Sequence, residues 1–123
     1  MLQVVSYETF QDGQIIFKEG DDGDRVYLIH SGSVELSKMI NGNKIIIEVL
    51  HAEDVFGEMA FINNIPRTAT AMAIGKATLG IVDRAYLIGE LNKLSGDTQA
   101  VLRSLVLRLK KATDGLGQSA VKS

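Results

Sequence analysis

The 123 residues include no cysteine, no tryptophan and a single proline. The missing cysteine excludes disulfides, thiolate metal sites and a catalytic thiol together, and it suits a reducing, cytoplasmic setting. An excess of either charge is missing too: 13 Lys and Arg stand against 15 Asp and Glu, a net charge of −2. No like-charge run exceeds two residues, so neither a basic surface for nucleic acid nor a charged tail is expected. Histidine is confined to His30 and His51, which are not at metal-ligand spacing. The serines lack a nucleophile elbow or a matching histidine–carboxylate arrangement. No stretch approaches the roughly 20 apolar residues of a membrane helix, and Met1-Leu2-Gln3-Val4-Val5 has no signal-peptide pattern. The expectation is a cytoplasmic domain that is not an enzyme, needs no cofactor or metal, and meets neither membrane nor nucleic acid.

What is present is apolar residue content of 46%, ample for one core in a chain of single-domain length. Up to about residue 82 the pattern is that of strands. Val34 and Leu36 alternate with Glu35 and Ser37, and Asn41-Gly42-Asn43 separates the apolar runs 34–40 and 44–50. Asn-Gly between such runs is a strong hairpin signal because both residues tolerate positive φ. Glycines 13, 20, 32 and 57 each fall near the end of a strand-like segment, a beat that suggests an antiparallel barrel or jelly roll. After Val82 the period becomes helical. Asp83 can cap a helix carrying Leu87, Ile88, Leu91 and Leu94, Ser95-Gly96 breaks it, and Asp97 can cap a second helix carrying Val101, Leu102, Leu105, Val106 and Leu109. Gly115 is the expected stop, with a frayed tail beyond it.

One stretch departs from ordinary barrel sequence: Phe56-Gly57-Glu58-Met59-Ala60, a spacer ending in Pro66, then Arg67-Thr68-Ala69. It reads as a Gly-led turn, a short helix at 57–62, and a return to strand. A helix starting near Gly57 points free backbone N–H groups outward, a natural anion site. Arg67 has the strand parity of Ala69, Ala71 and Ala73, and a guanidinium on a small apolar face needs a partner. Two partners suit it. One is Glu58 in a structural salt bridge. The other is an anionic ligand whose phosphate meets the arginine fork and the turn amides, with Glu58 then accepting a ligand hydroxyl.

This stretch resembles the phosphate-binding cassette of the cyclic nucleotide-binding domain family, Phe-Gly-Glu-x-Ala, a spacer, then Arg, a small residue and Ala. The similarity covers most of the chain, with Gly13, Glu19-Gly20-Asp21 and Ser31-Gly32-Ser33-Val34 at the family's early turns. The resemblance implies a mainly β (α+β) fold: an antiparallel jelly-roll barrel of about eight strands over 1–82, a short cassette helix, and two C-terminal helices over 83–114. The domain would span 1–115, with 116–123 a disordered tail. It further implies that Arg67 meets the cyclic phosphate and Glu58 the ribose 2′-hydroxyl. The amides of Gly57, Met59, Ala60, Thr68 and Ala69 would line phosphate and sugar. Leu102, Leu105 and Leu109 are the candidates for a lid over the base when the last helix moves. The ligand would be cAMP, slightly favoured, or cGMP, which a Thr68 hydroxyl could meet.

Three alternatives remain at this stage. The chain could be the sensor fragment of a transcription regulator, channel or kinase, coupled to an effector domain outside it. As given it stops at Ser123, before a recognition helix could follow, so this chain is expected to make no DNA contact. It could be an interaction module with no ligand. It could form a homodimer through Leu102, Leu105 and Leu109, with Ala112 and Leu116 extending the pattern, though fewer than three or four heptads are present.

Overall fold

The structure, a computed structural model, describes the backbone of residues 2–122 and the side chains of residues 2–114. The hairpin falls where Asn41 and Gly42 demand it. Both have positive φ, 53° and 79°, and they join β3 (Tyr27–Ile40) to β4 (Asn43–Leu50) with Ile40 facing Asn43. The other strands are β1 (Val4–Phe10), β2 (Ile15–Phe17), β5 (Val55–Phe56) and β6 (Thr70–Val82). All pairings are antiparallel, in the order β1-β6-β3-β4, with β2 on β6 and β5 on β3. The result is a mainly β jelly roll.

Among the described residues six strands are observed where about eight are expected from sequence. The long pair β3 and β6 accounts for the difference, because each runs unbroken through irregularities that would otherwise divide it. Their register shifts between Ile29 and Ser31 and again between Ser31 and Ser33. Inward-facing Phe10, Ile29, Val34, Phe56, Ala71, Ala73, Ala77 and Leu79 form the core. The small alanines of β6 leave room on its inner face for other side chains.

Helix α1 (Glu58–Asn63) interrupts the strands as expected, with Gly57 as its N-cap. Helix α2 (Arg84–Asn92) is capped by Asp83, whose side chain accepts from the Ala85 N–H at 3.0 Å. Helix α3 (Gly96–Lys122) is capped one turn-step earlier than expected. Ser95 Oγ accepts from the Thr98 N–H at 3.1 Å, and Asp97 lies inside the first turn, where its charge suits the helix dipole. The helix also continues through Gly115 instead of stopping there. A helical glycine costs only about 1 kcal/mol relative to alanine, too little to end a 27-residue helix by itself. Where a disordered tail is expected at 116–123, the backbone continues in α3 to Lys122; the side chains from 115 onward and residue 123 lie outside the described residues. Among the described residues no helix is long and apolar enough to cross a membrane.

Candidate functional site

An aromatic floor is built first. Tyr27 and Phe56 stack with centroids 5.1 Å apart, and Phe17 leans on both at 6.1 and 5.9 Å. Arg67 lies on this floor, its guanidinium carbon 4.1 Å from the Phe17 centroid, a cation–π placement. The residue is only 5% exposed. Its Nη1 donates to the Gly57 carbonyl at 3.1 Å and its Nη2 to the Arg25 carbonyl at 3.0 Å. Backbone bonds fix its position as well: the Arg67 N–H donates to Asp21 O, and the Gly20 N–H donates to Arg67 O.

Gly57 must be glycine. Its φ is +86°, and a Cβ there would stand 2.6 Å from the Arg25 carbonyl and 2.9 Å from Arg67 Nη1. Having no side chain, it also leaves the first turn of α1 without a side-chain cap. The Glu58 N–H turns to its own carboxylate, and the N–H groups that follow it receive no cap from residue 57 and can meet an outside acceptor.

Above these elements opens a cavity of about 250 Å³. All seven cassette candidates, Gly57, Glu58, Met59, Ala60, Arg67, Thr68 and Ala69, line it. Two sequence arguments about them need correction. Arg67 is not on a strand; β6 begins at Thr70, and residues 68 and 69 form a bend. The alternation of Ala69, Ala71 and Ala73 therefore does not extend back to Arg67, and the bend is what lets both Arg67 and Thr68 face the cavity. The salt-bridge alternative also falls away: among the described residues Arg67 has no ion pair, with Glu58 or any other carboxylate.

The charges are poised unequally. Burial lowers the Arg67 pKa, with Tyr27, Asp24, Asp21 and Glu58 pulling the other way. Glu58 stands exposed at the mouth, yet the protein crowded around its carboxyl raises its pKa. Its own backbone N–H and Arg67 oppose that shift, while the charge of Glu48 adds to it. Thr68 Oγ1 donates to Met59 Sδ at 3.7 Å, tying the two arms of the cassette together.

The lid candidates are not brought to the cavity. Leu102 is half-buried, while Leu105 and Leu109 are 49% and 60% exposed. Val106 is the one buried residue of α3 among those described. Contact between cassette and last helix is made instead by Asn63, whose Nδ2 donates to the Arg103 carbonyl at 3.1 Å. Sequence reasoning missed the opposite wall, where Leu36, Glu48 and Leu50 line the cavity. The signal was available: Leu50 is buried, and Glu48 two residues earlier shares its face of the strand.

The family model for the cyclic nucleotide-binding domain matches residues 7–94. A cAMP-dependent protein kinase regulatory subunit of Dictyostelium discoideum is 35% identical over 76% of this chain and 29% of its own length. The CRP-like cAMP-activated global transcriptional regulator of Mycobacterium tuberculosis is 30% identical over 87% of this chain and 48% of its own. Among solved structures, the cAMP-bound form of the EAL enzyme Bd1971 superposes with a TM-score of 0.85 at 30% identity. It covers 95% of this chain and 31% of that one. The chain thus spans less than half the length of these relatives.

Proposed function

The chain belongs to the cyclic nucleotide-binding domain family, and from that premise we propose that it senses cAMP, with cGMP the second choice, without acting on it chemically. The observation that carries this reading is Arg67: a buried guanidinium without a carboxylate partner among the described residues, aimed at a cavity beside uncapped amides. A buried cation held only by neutral carbonyls keeps its charge available to an anion. The cyclic phosphate would meet Arg67 and the amides of Gly57, Met59, Ala60, Thr68 and Ala69. Glu58, an acceptor when ionised, suits the ribose 2′-hydroxyl.

Signalling would follow from the Asn63–Arg103 contact. A ligand that draws in the cassette shifts α1, and α3 moves with it; Leu102, Leu105 and Leu109 stand clear of the cavity and would travel to cover the base. The size of such a shift is set by how much better the ligand binds the closed form. The output then belongs to an effector domain or partner, as the kinase and transcription-regulator relatives suggest, and this chain itself contacts no nucleic acid. Pairing of two chains through Leu102, Leu105 and Leu109 of α3, the last two of them exposed, is the alternative use of these residues. A cytoplasmic setting, which the cysteine-free sequence suits, is part of the proposal.

Calorimetric titration with cAMP, cGMP and AMP at one salt concentration tests this. Tight binding of a cyclic nucleotide with weak binding of AMP is expected. Comparable binding of AMP would replace the reading with a generic nucleotide site, and no binding would end it.

A further inference from the structure

A second cavity lies on the opposite face of the sheet from the cassette. Leu36 of β3 pairs with Ala71 of β6, and both belong to the inner, core side. The next pair along, Ser37 and Thr70, points the other way, because successive side chains of a strand alternate. Met39 and Met72 share that outer face with them, and Ile15 of β2 pairs with Met72. These five residues line a cavity of about 390 Å³, larger than the 250 Å³ beside Arg67 and of small-molecule size.

Its lining differs in kind from that of the first cavity. Among the described residues it has no aromatic ring and no arginine, so it offers neither a stacking surface for a base nor a forked grip on phosphate. Ile15, Met39 and Met72 form an apolar wall, and methionine adapts its shape to a flexible chain. Three lysines and one carboxylate, Glu19, complete the lining. Lys38 is already held by Asp114 and Glu19, and Lys44 by Glu35. The Lys18 ammonium has neither ion pair nor hydrogen bond among the described residues. Two hydroxyls complete the polar side. Thr70 Oγ1 accepts the Glu19 N–H at 3.0 Å, which brings the chain at Lys18 close to it and leaves the Thr70 hydrogen to donate. Ser37 is only 5% exposed, yet its hydroxyl has no partner among the described residues. Leaving a buried hydroxyl unpaired is costly, and one that opens on a cavity can donate to a ligand.

We propose that this cavity binds an amphipathic anion, an alkyl chain ending in a carboxylate. The chain lies against Ile15, Met39 and Met72. The carboxylate, which only accepts hydrogen bonds, takes the Ser37 and Thr70 hydroxyls and is drawn by Lys18. The site is independent of what the cavity beside Arg67 binds.

Methionine methyl NMR on the full chain tests this, with decanoate below its micelle concentration as the probe. Met39 and Met72 line this cavity and Met59 lines the other, so the two cavities report separately. Decanoate should shift the Met39 and Met72 methyls saturably and leave Met59 in place. Decanol, the same chain without the charge, should bind at least about fivefold more weakly. Lys18→Glu, at an exposed position, should weaken decanoate about five- to tenfold. Ser37→Ala should weaken it about tenfold and leave the melting temperature unchanged or raised, because the fold does not use that hydroxyl. No saturable shift, equal shifts at all three methionines, or decanol binding as tightly as decanoate would overturn the assignment. So would an unchanged affinity in either variant, or a lower melting temperature in Ser37→Ala.

Discussion

Arg67 and Lys38 are both cations sunk in the barrel, 5% and 4% exposed, and they are held in opposite ways. Arg67 is held directly by neutral groups, two carbonyls and an aromatic face, with Asp24, Asp21 and Glu58 near enough to be felt but making no ion pair with it among the described residues. Lys38 is neutralised, its Nζ lying 2.5 Å from Asp114 of α3 and 3.6 Å from Glu19. Asp114 in turn takes Lys110 at 2.9 Å. The comparison separates a cation kept for an anion from one consumed by the fold. Carbonyls orient a guanidinium without cancelling its charge, whereas carboxylates cancel it and leave little for a ligand. Lys38 is therefore a tether between barrel and α3, and Arg67 is the cation left available to the proposed ligand.

The largest effect expected is on binding. Arg67→Ala should weaken cAMP affinity by about 1.5–3 kcal/mol, the range for hydrogen bonds to charged groups. Its stability should fall by less than the binding does, because the carbonyls of Gly57 and Arg25 lose a donor but no charge is left stranded. A binding loss matched by an equal loss of stability would erase the distinction drawn here.

At the tether the asymmetry should reverse. Asp114→Ala strands a buried ammonium, which costs about 3–5 kcal/mol where burial is complete. With Asp114 itself 45% exposed and Glu19 still near, about 1–2 kcal/mol is expected. Lys38→Met removes the buried charge and should cost less than Asp114→Ala in denaturant melts. The reverse order would mean that Lys38 is not confined as described.

Much of this was legible in the sequence, and the reason differs by residue. The hairpin at Asn41-Gly42 and the turn at Gly57 are local, since positive φ leaves its mark on residue type. The cassette is a contiguous motif and identifies itself. Arg67's position before the bend at 68 and 69, off the strand, was hidden because alternation among three alanines looks like a strand that starts earlier than it does. The cap at Ser95 competed with Asp97, two residues of similar capping strength. Lys38 could not be read at all: its partner lies 76 residues away, and a lysine in a strand ordinarily faces water.

Glu58→Ala should cost about 0.5–1.5 kcal/mol with cAMP and almost nothing with its 2′-deoxy analogue. Equal losses for both ligands in competition binding would remove the hydroxyl from Glu58's role. The smallest effect is one of pH. Hydrogen bonds from Lys38 and then Lys110 hold the Asp114 pKa below its ordinary 3.8. A carboxylate with a depressed folded pKa stabilises the fold above its unfolded pKa and loses that contribution as pH falls through the folded value. The stability gap between wild type and Asp114→Asn should be flat from neutral pH to about pH 5 and close in more acid solution. A gap that persists at the acid end would point to packing instead of charge.

The contrast between the two cations comes down to parallel cAMP titrations of Arg67→Ala and Lys38→Met against the wild type. A loss of tenfold or more at position 67, with less than about threefold at position 38, is the result this account predicts. Retained affinity in Arg67→Ala, or equal losses at the two positions, would contradict it.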